Sequence, residues 1–253
     1  MQQYLKRYRG VVGWLFLAVA VGLSLKLTDF TPAKMQTWGN AVEFVRGMFP
    51  PDWSALPKVL KLMAETVAIA FLGTLFAFAG ALPISFLTAR NTGPKWVGAI
   101  LRGLMSFLRS VPEILWAIIF VVATDFGDIP GIFALAVHNL GILTKLFGEV
   151  YESAPVGLQE AVASTGADRG TVLWYGILPW SMPAVFSHSF FRFECNIRTA
   201  TLLGIVNAGG IGRELMIHHQ LFNYQAMTVD ILGIVVLVIL ADGLGSLVRR
   251  QVT

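Results

Sequence analysis

Charge is what this sequence has least of. Aspartate, glutamate, lysine and arginine supply 13% of its 253 residues, about half the share usual in soluble proteins. Hydrophobic residues supply 55%, and mean hydropathy is +0.67. A length that would suit one or two soluble domains therefore reads as membrane-embedded chain. The basic excess is only 4, which argues against a nucleic-acid partner. The single cysteine, Cys195, excludes an internal disulfide and any thiolate metal cage. No GxxxxGK[ST] occurs, so no P-loop for ATP is present, and HExxH, GxSxG and CxxC are missing too. Ser187, His188 and Ser189 do not make a hydrolase, because neighbours on a helix diverge by about 100°. His138 stands without a second ligand at helical spacing and reads as a buried, satisfied histidine. There is no low-complexity segment and no internal repeat.

What is present is a series of long apolar runs. Lys6, Arg7 and Arg9 precede the first, 11–27. Ala18-Val19-Ala20 mimics a peptidase site, but the run continues to Leu27, which predicts an uncleaved first span. Residues 29–57 read as a polar loop whose Trp38 and Trp53 suit a membrane interface. The second span, 59–89, is too long for one straight crossing, and Gly73, Gly80 and Pro83 lie inside it. Around 106–113 the chain turns back into the membrane. Ser110 and Glu113 have capping-box spacing with Pro112 between them, so Glu113 is expected to cap a helix. A short turn at 125–130 precedes the fourth span, 132–147, and the fifth and sixth are predicted over 182–206 and 228–248.

The expectation is an all-α polytopic membrane protein of about six transmembrane helices, one domain over 1–253. Basic residues set its orientation. Lys6, Arg7, Arg9, Arg90, Lys95, Arg102, Arg109, Lys145, Arg169, Arg249 and Arg250 fall on one side, against Lys34, Arg46 and Arg213 on the other. The positive-inside rule places both termini and the 150–180 loop in the cytoplasm.

That loop contains EAVASTGADRGTVLWYGILPWSMP, residues 160–183, a mixed-polarity stretch between two apolar ones. Residues 159–164 are good helix formers, and Gly166 can take a left-handed backbone that ends the helix. Asp168 is placed to cap the next helix, while Pro179 and Pro183 mark the start of a further one. The pattern Glu160-Ala161-Val162, then Gly166, then Leu178-Pro179 resembles the EAA loop of ABC importer permeases. Val162 stands in place of the second Ala and Gly176 in place of a β-branched residue. The resemblance implies that Glu160, Ala161, Gly166, Ala167, Asp168, Leu178 and Pro179 form a coupling helix and its support on an ATP-hydrolysing subunit.

Charges within a span are costly, so the fifth span draws attention with Arg192, Glu194 and Arg198. Glu194 and Arg198 are four apart in the favourable order for a pair. Arg192 has no such partner on its helix. It must meet an acid from another helix, such as Asp242, or face water and an anion. Beyond it, Ala208-Gly209-Gly210-Ile211-Gly212 opens a Gly-rich turn and amphipathic segment over about 207–227. Its Gly209, Gly210 and Gly212 fit either an anion nest on the substrate path or a tight turn.

FRFECNIRTATLLGIVNAGGIG strongly resembles the signature of phosphonate and phosphite importer permeases, with Cys195 and Asn207 departing from it. LRSVPEILWAIIFVV looks like the same family's third span. The likeness covers about 60–250. It implies the type I ABC importer permease fold and a bacterial inner-membrane location. It also implies a second copy of the permease, two ATP-binding cassette subunits that hold ATP and Mg, and a periplasmic substrate-binding protein. No cofactor is expected in this chain. A methionine-like or other cargo, or an ion-coupled secondary carrier, stays open at this point.

Overall fold

The computed structural model describes the backbone of residues 2–28 and 38–252, and the side chains of 13–28, 39, 41–168 and 170–245. The side chains of Lys6, Arg7, Arg9, Arg169, Arg249 and Arg250, and the 29–37 part of the predicted loop, lie outside the described residues. All regular structure among those described is helical. The chain divides into two compact units, residues 1–47 and 48–253.

The first unit holds α1 (Gln2–Leu27) and α2 (Trp38–Gly47). Part of the region predicted as loop is thus helix. Ala41, Val42, Phe44 and Val45 alternate with Asn40, Glu43 and Arg46, a mixture a polarity reading takes for loop. In the second unit, Asp52 caps a short 3-10 turn, Trp53–Ala55, its carboxylate accepting from the Ser54 amide at 3.0 Å.

Helix α3 (Leu56–Thr88) is the spine of the second unit. Pro57 sits in its first turn, where a missing N–H costs nothing. Its 33 residues reach about 50 Å, as overlong as expected. The buried Ala70, Ala77 and Ala81 keep it narrow, and Gly73 lets it approach α6 (Asp128–Glu152) near Ile132 and Leu135. One apolar cluster gathers Ile69, Ala70, Leu135, Ile197 and Leu203; a second gathers Ala77, Leu143, Phe147, Tyr151 and Val185. Helix α6 begins earlier than predicted because Pro130 falls in its first turn.

Helices α4 (Lys95–Ser110) and α5 (Glu113–Thr124) meet at an 88° bend, with Val111 and Pro112 extended as an X-Pro pair prefers. The predicted capping box is not formed. Ser110 belongs to the preceding helix and donates to the Phe107 carbonyl at 2.8 Å, and Pro112 occupies the N-cap without a side-chain bond. After α6 come the short α7 (Val156–Ala163) and α8 (Arg169–Val172), a π-turn at Leu173–Ile177, and α9 (Leu178–Leu203). A 3-10 turn, Gly204–Val206, leads to α10 (Gly210–Gln220) and α11 (Tyr224–Val252).

Among the described residues, three helical stretches are able by length and composition to cross a membrane, Trp53–Thr88, α6 and Tyr224–Gly245, and four if the bent α4–α5 pair is one span. The predicted six includes two more. The apolar part of α1, Gly13–Leu27, is shorter, and α9 carries Arg192, Glu194 and Arg198.

Candidate coupling surface and buried polar cluster

Near the Thr88 end of α3, a knob of chain stands apart from the core. No residue of α7 is buried, and Glu160 and Ala161 are exposed. The helix closes as expected: the Ser164 amide donates to the Glu160 carbonyl at 2.8 Å, and Gly166 takes φ +82° with its amide on the Ala163 carbonyl at 3.0 Å. Asp168 then accepts from the Thr171 hydroxyl and from the amides of Thr171, 3.2 Å, and Gly170, 3.3 Å. These bonds, the hydroxyl first, hold its carboxyl below the usual carboxylate range. Leu178 and Pro179 form the first turn of α9.

The two departures from the EAA pattern face each other. A Cβ added at Gly176 would lie 3.4 Å from a Val162 methyl, so the larger side chain at 162 covers the position vacated at 176. Behind the knob runs a cleft of about 620 Å³ whose walls include Arg90, Asn91, Glu160, Ala163 and Ala167. Its far wall is tied to the end of α6: the Arg90 amide donates to Glu152 at 2.7 Å, and the Asn91 side chain to the Tyr151 carbonyl at 2.8 Å.

The second constellation lies within the bundle and joins three helices. Asn196 of α9 donates to Thr74 Oγ1 of α3 at 2.7 Å and accepts from Asn139 Nδ2 of α6 at 3.0 Å. Asn139 and Asn196 are fully buried. Arg192 Nε donates to Asn139 Oδ1 at 2.7 Å. Among the described residues no carboxylate lies within 4.0 Å of Arg192. Asp242 of α11 pairs instead with Arg198, at 2.8 Å, which corrects the partner considered for Arg192. Arg198 lies six residues beyond Arg192, about one and two-thirds turns further along α9, within reach of α11. Glu194 is half-buried on the same helix. Glu113, in the place expected of a cap, sits 3.2 Å from His138 Nε2, whose Nδ1 bonds the Val111 carbonyl at 3.0 Å. His138 is thus buried and satisfied, as read from its isolation.

Sequence reasoning missed Thr74, Asn139 and Asn196. The available signal was two amide side chains inside apolar runs, where an unpaired amide is costly.

At the Gly-rich turn, Asn207, Gly209 and Gly210 take φ of 63°, 87° and 67°. The Gly210 amide donates to Glu65 at 3.3 Å and the Ile211 amide to Thr66 Oγ1 at 2.9 Å. Gly212 is packed on the Thr201 carbonyl and Gly204, and Gly209 on Asp128. Two amides of the concavity therefore face the chain's own acceptors, and its glycines permit close backbone approach.

Residues 81–253 match the family described as binding-protein-dependent transport system inner membrane component. The chain is 38% identical to the putative phosphite transport system permease protein HtxC of Stutzerimonas stutzeri, over 78% of this chain and 70% of that one. It is 37% identical to the phosphite transport system permease protein PtxC of the same organism, over 80% and 74%. Its fold matches an inward-facing MetNI methionine ABC transporter structure with TM-score 0.68 at 23% identity, covering 80% of this chain and 99% of the other. An extended polar knob, a charged helix inside an all-helical bundle and these likenesses lead to one assignment: the chain belongs to the family of binding-protein-dependent transport system inner membrane components.

Proposed function

We propose that this chain is the membrane-spanning permease of an ATP-binding-cassette importer for phosphite, phosphonate or a similar phosphorus oxyanion. The observation that carries the cargo is the 37–38% identity to two phosphite permeases over about four-fifths of the chain. As an inner membrane component of this family it works with ATPase and binding-protein partners, and ATP hydrolysis belongs to the former. We infer two copies of the permease, two cassette subunits that bind ATP and Mg, and a periplasmic binding protein. Residues 1–253 act as one permease domain, with both termini and the knob in the cytoplasm, an orientation the distribution of Lys and Arg supports.

In this reading the exposed face of Glu160 and Ala161 docks on the cassette, with Gly166, Ala167 and Asp168 shaping its edge and Leu178-Pro179 joining it to α9. Closure of the cassettes around ATP draws two such knobs together, and α9 transmits the motion to the bundle. Arg192, held by Asn139 through Nε, keeps its remaining guanidinium donors for an oxyanion entering between the two copies. Glu194 and Arg198 flank that path. Gly209 and Gly210 contribute by letting the turn pack close to α6 and α3, and Gly212 by letting it pack on the end of α9. The anion drives the transition between the two states only through its differential affinity for them.

The test is uptake of labelled phosphite and of a phosphonate into proteoliposomes, with and without ATP and the binding protein. ATP- and binding-protein-dependent uptake of either is expected. Uptake of methionine alone would replace the cargo. Uptake driven by an ion gradient without ATP would end the importer reading.

A further inference from the structure

A second basic feature lies away from the Arg192 cluster. Helix α4 is amphipathic. Its exposed side carries Trp96, Ile100, Leu104 and Phe107 at one-face spacing, and its other side, with Arg102 and Arg109, leans over α6. Gly141 of α6 permits this approach, since a side chain there would meet the Met105 carbonyl at 2.6 Å. Between the two helices and the Thr88 end of α3 opens a cleft of about 320 Å³, within the size range of small-ligand sites.

Four cations line it: Arg90, Arg102, Arg109 and Lys145. Two carboxylates share the wall, and each already has a partner. Glu149 pairs with Lys145 at 3.4 Å and Glu152 accepts from the Arg90 amide. Arg102 is committed in part to the Thr88 carbonyl, at 2.5 Å, and Arg109 reaches the Ser106 hydroxyl at 3.4 Å. The balance of the lining is therefore positive, four cations against two anions. A second observation is independent of charge. Thr144, 1% exposed, lines the same cleft, and its buried hydroxyl has no hydrogen-bond partner. A buried hydroxyl without a partner is costly, and rotation of the Thr144 side chain toward the cleft would let it donate to an anion held by the guanidinium groups.

We infer that the α4–α6 cleft binds a phosphate-type oxyanion, with Arg109 and Thr144 as donors to it. The chemistry is shared by an anionic phospholipid headgroup and a free phosphorus oxyanion. The position favours neither by charge alone: the apolar face of α4 borders lipid in the membrane reading, and basic clefts between helices attract anionic headgroups. The site does not depend on which cargo the importer carries.

The test uses the full chain in phosphatidylcholine nanodiscs, with and without phosphatidylglycerol, and separately with inorganic phosphate against chloride at equal ionic strength. Native mass spectrometry counts retained lipid, and melting reports phosphate binding. Arg109→Gln and Thr144→Val should each weaken binding by at least about tenfold, while Lys61→Gln, near the start of α3 and away from the cleft, leaves it unchanged. Thr144→Val is informative because, in an empty cleft, losing that hydroxyl would leave melting equal or raised. Retention of phosphatidylglycerol lost in both variants identifies a headgroup site. Phosphate-dependent stabilisation lost in both identifies a free-oxyanion site. If neither probe binds, or both variants bind as the parent does, the inference is wrong.

Discussion

The knob around α7 and the cluster around Arg192 are both polar, yet they are held by opposite means. In the knob, bonds stay local: the Gln159 side chain to the Ala154 carbonyl, Ser164 to Ala161, Thr165 to Val162, Thr171 to Asp168. In the cluster, Arg192 to Asn139, Asn139 to Asn196 and Asn196 to Thr74 join residues 53, 57 and 122 positions apart. Local bonds shape a surface without tying it to distant helices, which leaves α7 with no buried residue. Long-range bonds in an apolar interior fix which faces of three helices meet, because any other register strands an amide. One region is an exposed surface shaped by its own turns, and the other fixes the register of three helices.

The sharpest way to break this contrast is Gly166→Pro. Proline holds φ near −65° and Gly166 needs +82°, so the knob should lose its shape while the bundle keeps its own. Substrate-stimulated ATP hydrolysis by the assembled transporter is expected to fall to background, with membrane insertion and melting of the permease unchanged. Stimulation at the parent level would detach the knob from coupling. The complementary change is Asn196→Leu. It removes the bonds to both Thr74 and Asn139 and should cost about 1–3 kcal/mol in melting of the purified permease. Adding Thr74→Val should add little further loss, since the first change already removes the Asn196 bond and leaves Thr74 only its local bond to the Ala70 carbonyl. Simple additivity of the two losses would mean the bond sets no register.

The knob was legible in the sequence because its structure is local. Gly166, Asp168 and the α9 start at Leu178-Pro179 each act within a few residues, and each is found where spacing put it. The cluster was legible only in part. Arg192 announced itself as a charge in a span, but its partner is an amide 53 residues away, and no local rule selects Asn139 over Asp242. The same limit explains Glu113. Its spacing from Ser110 fits a capping box, but the 88° bend at Val111-Pro112 puts the two in different helices, and Glu113 turns to His138. Helix α2 was hidden by a polarity pattern that suits loop and amphipathic helix alike.

A smaller effect tests whether the knob's interior is as local as its bonds. Val162 and position 176 are in contact range, so Gly176→Val should crowd the Val162 methyls and cost about 1 kcal/mol or more of overpacking. Val162→Ala in the same chain should relieve it. Hydrogen exchange of the α7 amides is the readout: faster in the single variant, restored in the double. Equal exchange in both would show that the two departures from the usual pattern are unrelated.

The smallest expected effect is a pH dependence confined to the knob. The Thr171 hydroxyl and the Thr171 and Gly170 amides lower the Asp168 pKa in the folded state. The sign follows from linkage: a depressed carboxylate stabilises in full above its unfolded value of about 3.9, and that contribution is lost as pH falls through the lower folded value. The Asp168 cap should therefore hold α8 at neutral pH and release it only in acid, below the ordinary carboxylate range. Protection of the Gly170 and Thr171 amides against exchange should decline there, and Asp168→Asn should flatten that decline. The Asn139–Asn196 bond has no titrating group, so protection of the surrounding α6 and α9 amides should not follow the same curve. If both regions lost protection together, the knob would be an extension of the bundle and not the separable handle its bonding pattern describes.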